Sequence, residues 1–172
     1  MKKKIALILA GSGVYDGSEV HETALTMYAL SKNDMDYKFF APNIDQAHVI
    51  NHLSGEEMNE KRNVLVESAR IARGDIQDIK ELKVNEFDAV IIPGGFGAAK
   101  NLCDFAFKGA DMSVNKEVER VIKEFNASKK PIGALCISPV IIAKVLGAKV
   151  TIGTDPETAG AMAAGRHRLR QR

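Results

Sequence analysis

The sequence contains no apolar run approaching the roughly 20 residues that a transmembrane helix needs, so no membrane span is predicted. It has only two cysteines, Cys103 and Cys136, too few for a disulfide framework. There is no internal repeat, no low-complexity linker and no close cluster of His, Cys and Asp residues with metal-ligand spacing. These absences predict a protein without a structural metal that works in the reducing cytoplasm.

The composition is that of an ordinary soluble domain with one unusual end. The chain has 172 residues, of which 45% are hydrophobic and 27% charged, enough for a single domain with a sizeable core. Four arginines crowd the last seven residues, and without them the remainder carries a net charge of −2. A basic tail can bind nucleic acid, but we interpret this one as a disordered end and predict no nucleic-acid partner. The expected organisation is one domain over residues 1–160 and an atypical basic tail over residues 161–172.

Apolar runs alternate with helical periodicities along the whole chain. This β-α-β-α pattern predicts an α/β fold with a mostly parallel sheet and helices on both faces. Segment 47–58 lacks either period and is expected to be irregular, with at most a small hairpin. The predicted strands cover residues 4–10, 36–42, 87–97, 130–136 and 148–153. The predicted helices cover residues 19–31, 59–73, about 114–127 and 138–147. Ser18 is expected to cap the first helix, with Val20, Ala24 and Met27 on one face, and Ser113 is expected to cap the third.

Ligands of parallel sheets bind at the carboxyl ends of the strands, where two glycine-rich segments stand out. "GSGVYDG" opens a helix but lacks the G-x-G-x-x-G spacing and a following Walker lysine, so a nucleotide site is not favoured. "PGGFG" follows a strand, and its glycines suit either a tight turn or N–H groups aimed at an anion.

The stretch "ALCISP" has the form of a nucleophile elbow, in which a strand turns sharply into a helix and exposes one side chain. Cys136 occupies that position, where a helix N-terminus favours the thiolate. A lone cysteine is also often a small buried hydrophobic residue, which is the interpretation for Cys103. Glu19 and Glu22, in the first turns of the first helix, either complement its dipole or point across the strand ends toward Cys136.

Together, "PGGFGAAKNL", "GALCISP" and "SEVHET" resemble the class I glutamine amidotransferase-like superfamily, in its PfpI and glyoxalase III-like branch. "LAGSGVYDGSEVHE" and "NLCDFAFKG" are similar to its ElbB-type subfamily in particular. The resemblance covers roughly residues 4–158 and implies a flavodoxin-like three-layer sandwich.

This resemblance also implies roles for particular residues. Cys136 is expected to be the nucleophile and Glu22 its carboxyl partner, with the backbone N–H groups of Gly95 and Ile137 binding an oxyanion. The implied activity is conversion of glyoxal, or a similar small aldehyde, to the hydroxy acid without a cofactor. Removal of early glycation adducts from proteins and a homodimeric state are further expectations.

The sequence departs from the family in two respects. Only His167 follows Cys136, so the later histidine of an amidotransferase or protease triad has no clear counterpart. ElbB-type chains also continue beyond this point, so the resemblance implies C-terminal truncation. Two rival functions use the same fold, namely a non-catalytic cysteine sensor of redox stress and a regulatory binding module.

Overall fold

Five parallel strands form the central sheet, in the order β3-β2-β1-β4-β5. The computed structural model describes residues 2–151, 153, 156, 158–160 and 169–170. The strands are β1 (Lys4–Ile8), β2 (Asp36–Ala41), β3 (Ile76–Asp78), β4 (Ala89–Ile92) and β5 (Ile132–Ala134). With β1 at the centre, β2 and β4 flank it, and the loops that leave β1, β4 and β5 emerge at one edge.

Helices cover both faces of this sheet, and β1 divides its side chains between the two cores. Leu7 and Leu9 join the core on one face, whereas Ile8 and Ala10 join the core on the other, as the two-residue period of a strand requires. The helices are α1 (Val20–Lys32), α2 (Val64–Ala72), α3 (Phe105–Lys108), α4 (Lys116–Ala127) and α5 (Pro139–Leu146), with a π-helix at Ala98–Leu102 and single 3₁₀ turns at Ile79–Glu81, Val84–Glu86 and Gly109–Asp111. The predicted three-layer α/β arrangement is therefore present.

The strands differ from the prediction at both ends of the series. β3 was not predicted, because its three residues are too short to show a period; it pairs with β2 at the sheet edge. The strand predicted at residues 148–153 forms as β6 (Val150–Thr151), which pairs in parallel with β7 (Leu169–Arg170) outside the central sheet. The rest of the 161–172 tail lies outside the described residues. In segment 47–58, an isolated antiparallel bridge joins Ile50 to Glu57, as expected for an irregular hairpin.

Neither predicted serine caps its helix; in both helices the cap is a residue one or two positions later in the sequence. The α1 cap is Glu19, whose side chain accepts a hydrogen bond from Glu22 N, and the α4 cap is Asn115. Ser18 is instead fully buried, and its hydroxyl accepts a hydrogen bond from Ala10 N at 2.9 Å. Ser18 therefore fastens the β1 loop rather than the helix.

The inner face of α1 is also rotated from the one predicted. Of the three residues predicted there, Val20 and Ala24 are exposed, whereas Met27 is partly buried and packs against the core. The buried residues of the helix are Thr23 and Leu30. The apolar spacing of α1 thus does not mark its buried stripe, because several of its apolar side chains face outward. In the described part of the chain, no helix is long and apolar enough to cross a membrane.

Candidate functional site

Three loops meet where β1, β4 and β5 end. The loop after β1 bonds to the loop after β4 through Glu19 N to Gly94 O and Gly97 N to Gly17 O, both 2.9 Å. The turn after β5 is held to the β4 loop by the buried Ser138 hydroxyl, which donates to Pro93 O at 2.7 Å. These bonds fix the relative positions of the three segments that carry the predicted site residues.

Cys136 forms the turn between β5 and α5. Its φ of 54° lies in the left-handed region, which is uncommon for a residue with a side chain and costs about 1–3 kcal/mol. The thiol is free and the residue is exposed. A strained, exposed side chain between a strand and a helix that begins with Pro139 has the form of a nucleophile elbow.

Glu22 reaches the same place from the first turn of α1. Its carboxylate oxygen Oε2 accepts a hydrogen bond from Gly94 N at 2.7 Å, across 72 residues of sequence. The side chain is half-buried. A long-range bond to a backbone amide fixes the orientation of this carboxylate, whereas a side chain that only complemented the helix dipole would be free to move.

Gly94 lies between the thiol and the carboxylate. A Cβ added to Gly94 would lie 2.2 Å from Cys136 Cβ, 2.6 Å from Glu22 Oε2 and 3.1 Å from Cys136 Sγ. Both side chains therefore border one small space above the Gly94 backbone. Among the described contacts, the carboxylate bonds to the Gly94 N–H rather than to the thiol itself.

Gly95 directly follows Gly94 in the sequence, and Ile137 directly follows Cys136. Gly95 has a φ of 97°, and a Cβ there would lie 2.4 Å from Gly17 O, so the loops require glycine at this position. Within the described residues, neither the Gly95 N–H nor the Ile137 N–H donates to a backbone carbonyl, unlike those of Phe96 and Gly97. Both groups remain available to a ligand oxygen.

Glu19 and His21 form a separate pair on the surface beside the site. His21 is largely exposed, and its Nδ1 lies 2.8 Å from Glu19 Oε1. Burial opposes ionisation of Glu19, but its hydrogen bonds with His21 and with the Glu22 N–H hold its pKa below the ordinary value. Glu19 is thus a charged cap that fixes the first turn of α1, on which Glu22 stands.

Cys103 has the opposite environment to Cys136. It is 5% exposed, and its thiol donates to Ala98 O at 3.3 Å. Desolvation by burial raises the pKa of this thiol to about 12. Cys103 therefore packs as a small hydrophobic residue, as the sequence suggested.

Asn101, which the sequence analysis did not single out, holds the loop after β1 in place by hydrogen bonds. Its buried amide donates to Ala10 O and Asp16 O, each at 2.9 Å, and its oxygen accepts from Ala47 N. The only signal for this role was a polar residue in the apolar context "AAKNLC". Among the described residues, no group of His, Cys, Asp and Glu side chains could hold a metal ion.

No described contact joins a histidine to the Cys136 thiol, and two of the histidines pack against aromatic rings instead. His48 packs edge-on against Phe107, with ring centroids 5.1 Å apart, and His52 stacks near Tyr15 at 4.9 Å. His167, the one histidine after Cys136, lies outside the described residues. The geometry around Cys136 is therefore that of a cysteine and a carboxylate.

Comparison with known proteins gives a consistent set of relatives. Residues 3–162 match the model of the DJ-1/PfpI family. The human glutamine amidotransferase-like class 1 domain-containing protein 3, mitochondrial, is 54% identical over 159 residues, which cover 91% of this chain and 59% of that protein. The rat ES1 protein homolog, mitochondrial, is 53% identical over 161 residues, covering 92% and 60% respectively. The chain thus spans about three fifths of the length of these curated relatives.

A solved structure extends this comparison to the fold. The isoprenoid biosynthesis protein with amidotransferase-like domain from Ehrlichia chaffeensis superposes with a TM-score of 0.90 at 42% identity, covering 99% of this chain and 79% of that one. The predicted flavodoxin-like α/β fold is confirmed.

The cytoplasmic location predicted from the sequence is wrong, because the rat, human and zebrafish relatives are all named as mitochondrial. The error has a physical reason. Two unpaired cysteines indicate only reducing surroundings, and they do not distinguish one reducing compartment from another.

Proposed function

The chain belongs to the DJ-1/PfpI family, and from that premise we propose that it is a cofactor-independent glyoxalase of the ElbB type, converting glyoxal and similar 2-oxoaldehydes to hydroxy acids. The observation that carries this proposal is the meeting of Cys136 and Glu22 over Gly94. A nucleophile and a proton-transferring carboxylate border the same space, which is what an internal rearrangement of a bound aldehyde requires.

The reaction begins with the Cys136 thiolate adding to the aldehyde carbon, which forms a C–S bond and a hemithioacetal after the oxygen takes a proton. The Glu22 carboxylate then removes the proton from that carbon and an enediol forms. Return of the proton to the neighbouring carbon gives a thioester. The first carbon is oxidised and the second reduced, so no external electron acceptor is needed.

Hydrolysis completes the cycle. Water attacks the thioester carbonyl, the C–S bond breaks, and glycolate leaves when the substrate is glyoxal. The two N–H groups of Gly95 and Ile137 would stabilise the oxyanion in this step and in the first addition. Removing one such donor from an enzyme typically costs about 3 kcal/mol of transition-state stabilisation.

A thiol-based sensor is the second candidate, and it is favoured because Cys136 is exposed whereas Cys103 is buried. In that role, an oxidant converts the Cys136 thiolate to the sulfenic acid without any turnover of an aldehyde. Deglycation of proteins is a further possible use of the same nucleophile, since an open thiol can be reached by an adduct on a protein side chain.

The test is glycolate formation from glyoxal by the purified protein, beside Cys136→Ala and Glu22→Gln. Cys103→Ala is the matched control for the first variant and Glu56→Gln, an exposed surface carboxylate, for the second. Loss of activity in the two site variants alone, with circular dichroism unchanged, supports the proposal. A folded parent that forms no glycolate, or a Cys136→Ala variant with full activity, refutes it and leaves the sensor function.

A further inference from the structure

His52, on segment 47–58, has both ring nitrogens engaged, and their partners fix its protonation state. Its Nδ1 lies 3.0 Å from Ile50 O, and a carbonyl oxygen only accepts, so Nδ1 carries a proton. Its Nε2 lies 3.2 Å from Tyr15 N, a backbone donor, so Nε2 accepts and carries no proton. The arrangement therefore requires a neutral imidazole in one tautomer.

The peptide group between Val14 and Tyr15 joins His52 to the candidate site. Its N–H donates to His52, and its carbonyl oxygen accepts a hydrogen bond from Phe96 N at 2.7 Å. Phe96 directly follows Gly95, whose N–H is one of the two proposed oxyanion donors. One peptide group of the loop after β1 is thus held between the imidazole and the loop after β4.

The loop after β1 receives the imidazole closely. Gly13 has a φ of 123°, and a Cβ there would lie 2.6 Å from His52 Nε2, so glycine lets the ring rest directly on the loop backbone. The Tyr15 ring also contacts the imidazole, with centroids 4.9 Å apart. The His52 side chain nevertheless remains 38% exposed, so it can exchange protons with the solvent.

Charged groups face His52 from the loop after β1, from the π-helix and from its own segment. Asp16 is 4% exposed; its Oδ2 accepts from Ile50 N at 2.7 Å, and its Oδ1 lies 3.9 Å from His52 Nε2. The ammonium group of Lys100, on the π-helix, interacts electrostatically with the carboxylates of Asp16 and Glu57. The two carboxylates favour a protonated imidazole, whereas Lys100 opposes one.

Protonation would exchange one partner of His52 for another. A protonated imidazole is a donor at both nitrogens, so Nε2 no longer accepts from Tyr15 N and is attracted to the Asp16 carboxylate instead. We propose that neutral His52 is a positioning residue for the Gly95 N–H, and that its protonation releases the peptide group that holds the loop after β4. This inference rests on the proposed role of the Gly95 N–H in the reaction. Imidazole side chains change charge between roughly pH 5 and 8, so the loop is held at the upper end of this range and released at the lower end.

Amide resonances test this positioning without any turnover. In 15N–1H spectra recorded from pH 8 to pH 5, the Tyr15 amide should shift with the midpoint of the His52 ring signals, because its hydrogen bond is lost. The Phe96 and Gly95 amides should shift with the same midpoint, since their loop is bonded to the same peptide group.

Two variants assign these shifts to one ring. In His52→Gln, the side-chain oxygen can accept from Tyr15 N but does not titrate, so the three shifts should disappear. His48→Gln is the matched control, because His48 lies on the same segment but packs against Phe107. The three shifts should remain in that control.

Glycolate formation then measures what the positioning does for the reaction. Dividing the kcat/KM of the parent by that of His52→Gln at each pH removes the ionisation of Cys136 and Glu22, which both proteins share. We expect this ratio to fall about fivefold from pH 8 to pH 5.5, the effect of losing one hydrogen bond. His52→Leu, which has no acceptor, should lie about fivefold below His52→Gln at both pH values.

The outcomes separate this inference from the proposed function. The expected amide shifts, without glycolate at any pH, support the positioning of Gly95 by His52 but refute the glyoxalase function. A rate ratio that does not depend on pH in an active protein overturns the inference. Phe96 and Gly95 amides that do not follow the titration of His52 overturn it as well, whether or not glycolate is formed.

Discussion

Glu22 and Cys136, which are 114 residues apart in the sequence, meet over the backbone of Gly94. The Gly94 N–H orients the carboxylate at 2.7 Å, while the missing side chain leaves room for the thiol. One backbone position thus supplies both the hydrogen bond and the space that the pair needs. This arrangement makes Gly94 the most sensitive position for testing how the two side chains work together.

Gly94→Ala should separate the pair without removing either member. The added methyl group would lie 2.2 Å from Cys136 Cβ and 2.6 Å from Glu22 Oε2, far inside van der Waals contact, so at least one of them must move. We expect glycolate formation to fall by at least about 100-fold, since small displacements of reacting groups have costs of this size. Stability should fall by about 1–3 kcal/mol, as in other overpacked sites.

Gly160→Ala is the matched control for this variant, because a Cβ at Gly160 would meet no described residue within 4 Å. It should keep the activity and the urea midpoint of the parent. A Gly94→Ala protein that retains parental activity would show that the close approach of Glu22 and Cys136 has no part in the chemistry.

The two cysteines should differ sharply in their reaction with Ellman's reagent. Cys136 is exposed and should react in the native protein, whereas Cys103 is 5% exposed with its pKa raised to about 12 by burial. We expect one thiol per chain to react at pH 7.5 and the second only after unfolding in guanidinium chloride. The Cys136→Ala protein should give no fast reaction, and two fast thiols in the native parent would contradict the packing described for Cys103.

Much of the site could be predicted because its main signals are local. A strand, a turn and a helix N-terminus are contiguous in "PIGALCISP", so the position of Cys136 follows from a few neighbouring residues. The two helix caps could not be placed in the same way. Serine is a favourable cap in general, but Ser18 is drawn into a buried bond with Ala10 N, and that competition depends on tertiary packing.

The long-range contacts of the fold could not be predicted from local sequence patterns in this way. The contact of Glu22 with Gly94 spans 72 residues, and nothing in the spacing of either segment indicates it. β3 is three residues long, below the length at which alternation can be recognised. The role of Asn101 depends on three partners in two distant loops, so its sequence neighbourhood suggests only ordinary packing.

Glu19→Ala should destabilise the protein in a pH-dependent manner. The Glu19 carboxylate caps α1 and has a pKa below its ordinary value, so its stabilisation is fully present above the unfolded pKa of about 4.3 and is lost as the pH falls through the lower folded value. At pH 7 we expect a loss of about 0.5–2 kcal/mol in the free energy of unfolding, the usual cost of removing a cap. The difference from the parent should shrink as the pH falls below 4.

Urea titrations at pH 7, 5 and 3 measure this difference. Glu56→Ala is the control, since that side chain is exposed and its substitution should have little effect at any of these pH values. A Glu19→Ala deficit that stays constant or grows with falling pH would rule out the charged cap as its cause.

The homodimer expected from the family resemblance has a candidate surface on α1. Leu25 and Tyr28 are 66% and 63% exposed and lie one helical turn apart, and Val20 is 41% exposed near the start of the helix. Apolar side chains grouped on one helix commonly mark an interface between chains. Leu25→Glu, which places a charge in this group, should convert a dimer to a monomer in sedimentation velocity at micromolar concentration. Leu53→Glu changes a leucine that is 97% exposed and lies outside α1, and it should leave the dimer intact. A monomeric parent, or a Leu25→Glu protein that stays dimeric, would exclude α1 as the interface.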